Sequence, residues 1–586
     1  MQLKMKFLVF ILVVFTLFPF LTLPANADTS ISGTISADTT WTLSNSPYIV
    51  TDNVLVFSGA TLTIEPGVIV RFNGNKSLIV DGGLVARGTD TSKITFTSNK
   101  TNPASGDWRG IVFTGISNPA VFDSNGNYLS GSVLQYATVE YAGFGGIDTP
   151  AISINTVFID HDLIRNNAGF GIFGGNGAKI TNNTITGNQG GGMQPGGGGT
   201  IVSGNTITNN SIPVGPRRGA GITAMWTTGL TIRNNFISGN TSSGQAAQPG
   251  GIFSFGSNPV IAGNTIIGNR GDAGGIEVYI DNGQGLQSYN TPTITNNTIS
   301  DNVGSIYAGG IQLGVGGSST FAVNAIIADN TISNNHGGGI SQGVPWSSVT
   351  VTNNTIDNNQ GAGVSLGHEI NAIVTGNKIT NNAGAGLGIT HQQNFDGIPV
   401  GPSTVSNNTV AINAGGGMFL DIGFSNMTCN TIVGNGSVGS GSGVTLINIP
   451  FISSFTGTIA QNTFGSNSPY DFVAPNRTGS ILSASSNWWG TTDAAQINIH
   501  IYDSFDDVSR ATIGYIPVLN EPSSCAPPDL YTNRPPVINQ LGNATINEGA
   551  TYSASGSFID PDSSSWSATV NYGDGSGVQA LTLSGT

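Results

Sequence analysis

Charge is what this sequence has least of. Asp, Glu, Lys and Arg make up 9% of its 586 residues, against roughly 25% in ordinary soluble domains. The balance is 18 basic to 32 acidic side chains, a net charge of −14, which argues against nucleic acid or an anionic membrane surface as a partner. Between Arg270 and Arg477 the only basic side chain besides histidine is Lys378, so few groups there could neutralise the carboxylate of a uronate substrate. Cysteine is nearly absent as well. Cys429 and Cys525 are too few for a disulfide framework. In an oxidising compartment they could pair and tie the segment after the repeats back to the solenoid, but sequence cannot place them within bonding distance, and free or partner-dependent thiols are the first expectation. After the run from Phe7 to Leu23 no stretch of 18 apolar residues recurs, so no further hydropathic membrane span is expected. A leucine ladder and helix-period patterning are also missing.

What remains is glycine, 85 residues, and a repeat of asparagines. The spacing N-x-I-x-x-N starts at Asn183, Asn205, Asn235, Asn264, Asn297, Asn330, Asn354, Asn377, Asn408, Asn430 and Asn462, with a degenerate copy opened by Asp162. The second Asn is present in all twelve copies, from Asn167 to Asn467, and the third position is always apolar, from Ile164 to Phe464. Successive starts are separated by at least 21 residues, and the short spacings are 21 to 24. The copies are short Ile/Val/Thr runs cut by Gly and Asn, a pattern of strands and turns. One such period makes one coil of a parallel β-solenoid. Coils stack at roughly 4.8 Å, the Ile positions line up inside, and the two Asn columns stack as amide ladders. The expected fold class is all-β: a parallel β-helix from about residue 30 to 520, roughly 16–17 coils and 75–80 Å long, to which the chain's family resemblances add a right hand and a partial Ig-like β-sandwich after it.

The repeat N-x-I-x-x-N-x-G-x-G-I over residues 130–485 resembles the right-handed parallel β-helix, or pectin-lyase-like, family. "TLTIEPGVIVRFNGNKSLIVDGGLVARGT" and "DWRGIVF" resemble the opening coils of such secreted proteins, and "SNWWGTTDAAQINIHIYD" their closing cap. Residues 1–27 read as a signal peptide: Lys4 and Lys6, the apolar run, then Ala25-Asn26-Ala27. The expected organisation continues with cap and opening coils over 28–130, repeats over 131–485, a closing coil and cap over 486–522, and a Pro-rich linker over 523–535. Residues 536–586 resemble a polycystic-kidney-disease-type (PKD) Ig-like domain through Asp560-Pro561-Asp562 and Gly573-Asp574-Gly575. Only about half of such a domain is present, so the sequence is expected to be a piece of a longer chain.

The family includes polysaccharide lyases, hydrolases, epimerases and adhesins, so fold does not settle activity. "VFIDHDLIRNN" (157–167) echoes the W-I-D-H motif of pectate lyases, but the carboxylate and arginine motifs of those enzymes, and those of polygalacturonases, find no counterpart. Arg270-Gly271-Asp272 in a Gly-rich repeat reads as chance, Trp488-Trp489 as cap packing and His336 as a solvated corner. Twelve residues separate Asn210 from Ile222 and Asn240 from Ile252, where most coils use five. Other coils lengthen at a second corner, giving loops 281–292, 314–322 and 391–402. Loops that leave a regular stack tend to carry function. Glu277 and Gln312 fall in one outward column with Phe253, Ser341, Ser365 and Phe419, and this stripe with its loops is the expected glycan-binding face. A second candidate is ionic. His368 and His391 lie 23 residues apart, as do their starts Asn354 and Asn377. Glu369, Asp396 and Asp421 fall nearby. His368, His391 and Asp421 would suit a calcium or zinc ion, the one cofactor the sequence suggests.

The expectation is a secreted or surface-displayed, monomeric protein that binds an extracellular polysaccharide or cell-surface glycan, or serves adhesion, without catalysis. The alternative is a carbohydrate-active enzyme, a polysaccharide lyase or glycoside hydrolase working on the outer face.

Overall fold

The computed structural model describes residues 28–529 less 214–217, 244–247, 282–288, 317–321, 344–346, 392–402, 422, 437–440, 449–454 and 456, together with 537–538, 555–559, 566–571 and 577–583. Residues 1–27, where a signal peptide is expected, lie outside the described part. So do Asp560–Asp562 and Gly573–Gly575, on which the Ig-like expectation rests. Beyond residue 529 the described strands are two antiparallel pairs, Val537–Ile538 with Phe558–Ile559 and Ala568–Asn571 with Val578–Leu581.

Parallel pairing runs unbroken from Thr29–Ile35 to Ile501–Tyr502. Each coil contributes three short strands, and equivalent strands stack into three sheets. The first sheet contains Val133–Gln135, Phe158–Asp160, Lys179–Thr181, Ile201–Ser203 and Thr231–Arg233. The second holds the strands of the repeat, such as Thr184–Thr186 and Thr206–Thr208. The third holds Ile222–Met225, Ile252–Phe255, Ile276–Asp281 and Ile311–Gly316. The repeat isoleucines, Ile185 to Ile379 with Val410, Ile432 and Phe464, are buried in a single core running along the axis. Burial of each stabilises the stack by roughly 1.5–3 kcal/mol.

Both asparagine columns form the expected ladders. Asn183 Nδ2 donates to Asn205 Oδ1 at 2.9 Å, and Asn188 Nδ2 to Asn210 Oδ1 at 2.9 Å. Each Oδ1 also accepts a backbone N–H of the preceding coil, and each Nδ2 also reaches a carbonyl there, as from Asn183 to Ile159 O. Every polar group of a buried amide is thereby satisfied. The ladder holds across the longest spacings, with Asn264 and Asn297 joined at 3.0 Å. Left-handed backbone falls one residue before the ladder asparagines, at Asn182, Gly187, Gly204 and Asn209. This accounts for the recurring Asn-Asn and Gly-Asn pairs: the first residue turns the corner, and the second fills it. The glycine before each third-sheet strand has a different cause. A Cβ at Gly339 would lie 2.6 Å from Gly363 O and 2.8 Å from Ile356 Cγ2, so only glycine lets neighbouring coils close there.

Each ladder meets a carboxylate at one of its ends, the first column running from Asp162 to Asn487 and the second from Asn167 to Asp471. Asn467 Nδ2 donates to Asp471 Oδ1 at 2.8 Å. At the other end Asp162 Oδ1 accepts from Ala137 N at 2.6 Å, while its buried Oδ2 has no partner. Burial pushes the Asp162 carboxyl well above the usual carboxylate range. A protonated acid can stand in for the amide that the ladder wants. The folded state therefore holds its proton to higher pH than the unfolded chain. The contribution is complete below the ordinary carboxylate range and is lost as pH rises through the folded value. Asp162→Asn is expected to stabilise the protein at pH 7 by about 1–3 kcal/mol, the cost of one buried unpaired acceptor, with the gain vanishing in acid. Denaturant titrations at pH 7 and pH 3.5 check this, and an equal effect at both would contradict it.

At the C-terminal end Trp489 stacks on Phe464, centroids 4.6 Å apart, and closes the core as expected of a cap. The two cysteines do not stay free. Cys429 and Cys525 form a disulfide, Cα atoms 5.2 Å apart. Cys429 occupies the left-handed corner position before Asn430. The chain beyond the cap returns past it, with Ser523 N donating to Thr463 Oγ1 at 3.0 Å and Thr431 Oγ1 donating to Pro527 O.

Candidate functional site

The expected stripe exists as a register, but only its later part is a surface. Phe253, Glu277, Gln312, Ser341 and Ser365 lie opposite one another on successive coils. Phe253, Glu277 and Gln312 are nevertheless buried, 0, 1 and 6% exposed, while Phe419, farther along the third sheet, is 40% exposed. The reason lies in the lengthened corners. Ser211–Ile212, Thr241–Ser242, Arg270–Gly271 and Val303–Gly304 form a small parallel sheet of their own. The chain after it folds back over the outward row. Gly219 N donates to Thr223 Oγ1 at 2.9 Å, and Ala308 N donates to Gln312 Oε1 at 3.3 Å. Phe253, Phe255 and Tyr279 join Met225 and Trp226 in a second apolar cluster, with Phe255 stacked on Tyr279 at 5.5 Å. Of the residues read as a binding face, Phe253 lies in this second core and Glu277 and Gln312 are covered beside it, while Ser341 and Ser365 stay half-buried and Phe419 exposed. The loops after Asp281 and Gly316 lie partly outside the described residues. Where they return, Tyr289–Asn290 pairs with Ala322–Val323, extending the stack. Asp272 is also buried, 5% exposed, so Arg270-Gly271-Asp272 is not a presented tripeptide. His336 is exposed.

The histidine cluster is rearranged. Glu369, not His368, lies opposite His391, because an irregularity between Leu366 and Glu369 shifts the register. The side chains of His368 and Glu369, and all of Asp396, lie outside the described residues. The partner of His391 is Asp421, with Nδ1 2.6 Å from Oδ1, and its Nε2 lies 2.7 Å from Ser403 Oγ. Ser403 Oγ in turn accepts from Ala372 N at 2.9 Å. Asp, His and Ser in this order match a hydrolase triad in connectivity, but His391 and Ser403 have no exposed side-chain surface. Both ring nitrogens are engaged, which leaves no lone pair for a metal. Among the described residues no three His, Cys, Asp or Glu side chains converge on a metal position. The network ties the end of a third-sheet strand to the start of a first-sheet strand. His391→Ala is expected to cost about 2–3 kcal/mol, because Asp421 keeps its bonds from the backbone N–H groups of His391 and Gly423. The melting temperature should fall equally with and without added zinc.

The accessible site lies elsewhere, on the first sheet. Its outward row is Arg87, Gln135, Asp160, Thr181, Ser203 and Arg233, paired coil to coil. Beside it run Phe158, Lys179 and Ile201. An antiparallel hairpin, Val121–Phe122 with Tyr128–Ser130, forms one rim. Phe122 packs edge-on against Phe158 at 5.6 Å, and Tyr128 stacks on Phe158 at 5.7 Å. The result is an open axial groove of about 480 Å³. Asp160 lies in its floor, 5% exposed. It accepts from Thr181 Oγ1 at 2.6 Å, Gln135 Nε2 at 2.8 Å and Asn182 Nδ2 at 3.0 Å, with His161 Nδ1 at 2.7 Å. Burial pushes this carboxyl up, but the bonds from Thr181, His161, Gln135 and Asn182 outweigh it and hold the group ionised below the usual carboxylate range.

Sequence reading passed over this groove, although the signal was present. Asp160, Thr181, Ser203 and Arg233 each stand two residues before a repeat start. In later coils that place holds mostly small residues, such as Ala262, Ala328 and Ser406.

Two overlapping segments, 151–324 and 285–451, match the family described as "Right handed beta helix region", and together they cover more than half of the chain. The chain belongs to the right-handed beta helix family. Residues 33–150 match a "Pectate-lyase like beta helix domain", so the groove spans the junction of the two matches. A 66-residue segment is 46% identical to protein bark beetle of Drosophila melanogaster, covering 11% of this chain and 2% of that protein. Among solved structures, the periplasmic alginate epimerase AlgG is similar at 12% identity, covering 70% of this chain and 82% of that one, with a TM-score of 0.29. A double mutant of the tailspike protein of E. coli bacteriophage HK620 is similar at 13% identity, covering 71% and 72%, also with a TM-score of 0.29. Scores this low fix no residue-to-residue correspondence. Among the described residues no helix is long and apolar enough to cross a membrane.

Proposed function

We propose that this β-helix protein binds a glycan chain, laid along the solenoid axis in the groove from Arg87 to Arg233, and does so without catalysis. The groove itself is the main support. It runs parallel to the axis, repeats polar side chains at the coil rise of roughly 4.8 Å, and has an aromatic rim at Tyr128 and Phe158. Aromatic faces with adjacent hydrogen-bonding groups suit sugar rings, which are apolar on one face and hydroxylated at the edge. A binding role is favoured over hydrolysis because among the described residues Asp160 is the one carboxylate lining the groove, whereas glycoside hydrolysis needs two, roughly 5–9.5 Å apart. The disulfide fits an oxidising, extracellular or cell-surface setting.

A glycan array covering neutral and anionic polysaccharides tests the reading. Ser203→Trp, which fills the middle of the groove, is expected to abolish binding without lowering the melting temperature. An array with no hit, or undiminished binding by the variant, would refute it. Release of reducing sugar or of an unsaturated product from a bound polysaccharide would establish the enzymatic alternative.

A further inference from the structure

The groove carries three cations that no carboxylate neutralises. Arg87 and Arg233 are exposed, Lys179 is half-buried between them, and among the described residues none of the three forms an ion pair. Their partners are neutral. Arg87 Nε donates to Gln135 Oε1 at 3.0 Å, and its guanidinium lies 5.5 Å from the Tyr128 ring centroid. Lys179 Nζ donates to Gly126 O at 2.8 Å and lies 4.0 Å from the centroid of Phe122. Such contacts aim a charge without cancelling it. Asp160, ionised in the floor, offsets at most one of the three charges and forms an ion pair with none of them. In a chain with 32 acidic side chains to 18 basic ones, three unpaired cations on one track make a local reversal of sign.

Their spacing narrows the ligand. Arg87 lies three coils from the Lys179 strand, and Arg233 two coils beyond it. At the coil rise these steps are roughly 14 and 10 Å. A small anion would meet one cation, whereas a chain with recurring anionic groups meets all three. We infer that the groove takes an anionic polysaccharide, carboxylated or sulfated, lying along the axis with its charged groups at Arg87, Lys179 and Arg233. This deepens the glycan-binding reading and rests on it.

Affinity electrophoresis of the full chain through gels containing dextran, carboxymethyl-dextran or dextran sulfate tests the inference, because the three polymers share one backbone and differ in charge. At least one charged polymer is expected to retard the protein about ten-fold more strongly than dextran, and which one distinguishes carboxylate from sulfate. The variant Arg87→Gln/Lys179→Gln/Arg233→Gln should lose about ten-fold, the combined effect of three exposed charge contacts. Lys93→Gln/Lys378→Gln, which removes exposed cations elsewhere on the solenoid, should keep wild-type retardation. Equal retardation by dextran and by the charged polymers would overturn the charge preference and leave glycan binding standing. Wild-type behaviour of the triple variant, or an equal loss in the Lys93/Lys378 control, would overturn the assignment to these three cations. No retardation by any polymer, together with an array bare of hits, would remove both readings.

Discussion

Asn335→Asp is expected to lower the stability of the solenoid by about 3–5 kcal/mol at neutral pH, the usual result of an unpaired charge in a buried polar network. Asn335 has no exposed surface. Its Nδ2 donates to Ile299 O and to Asn359 Oδ1, both at 3.0 Å, and its Oδ1 accepts from the backbone N and Nδ2 of Asn302, both at 3.1 Å. Aspartate would turn an oxygen toward two oxygens and bury a charge with donors on one side only. The loss should shrink in acid, since a protonated carboxyl can donate as the amide does. Because a solenoid unfolds through neighbouring coils, the transition should also broaden. Calorimetry at pH 7 and pH 3.5 checks this, and an unchanged melting temperature at pH 7 would mean that the ladder does not hold the coils together.

Removing the disulfide is expected to have an effect of similar size. The bridge closes a loop of 96 residues between Cys429 and Cys525. Closure of a loop near 100 residues is worth about 4–5 kcal/mol in the chain-entropy treatment. In Cys429→Ser/Cys525→Ser the segment after the cap would keep the Ser523 and Thr431 hydrogen bonds, and these replace only a small part of the tether. Denaturant unfolding should shift to lower midpoint, and limited proteolysis should cut between Leu519 and Pro527 before it cuts the coils. Superimposable unfolding curves for wild type with and without reductant would show that the tether is energetically idle.

The two Asn columns and the Ile column are legible in the chain because each coil repeats the same local need: a corner, a buried amide and a core residue, at nearly fixed offsets. The Cys429–Cys525 pair is not legible, because its partners lie in segments of different kinds and are brought together by how the tail returns past the cap. The meeting of His391 with Asp421 follows the coil register to within one residue, but Ser403 joins them from the start of a first-sheet strand, a contact that no spacing rule anticipates. Glu277 and Gln312 show the same limit from the other side. Their alternation correctly places them outside the coil, yet outside the coil is not the same as exposed to solvent.

The sequence by itself determined the solenoid, its axis and its internal columns, since backbone pairing between coils and burial of one residue per strand are demands that each period meets alone. The tertiary structure decided which outward face stays open. Long corners fold back over the third sheet and bury its stripe from Phe253 to Gln312, whereas the hairpin at 121–130 stands beside the first sheet and leaves a groove. Whether an outward side chain becomes core or site depends on what the rest of the chain lays across it, and that is settled by packing between segments far apart in sequence.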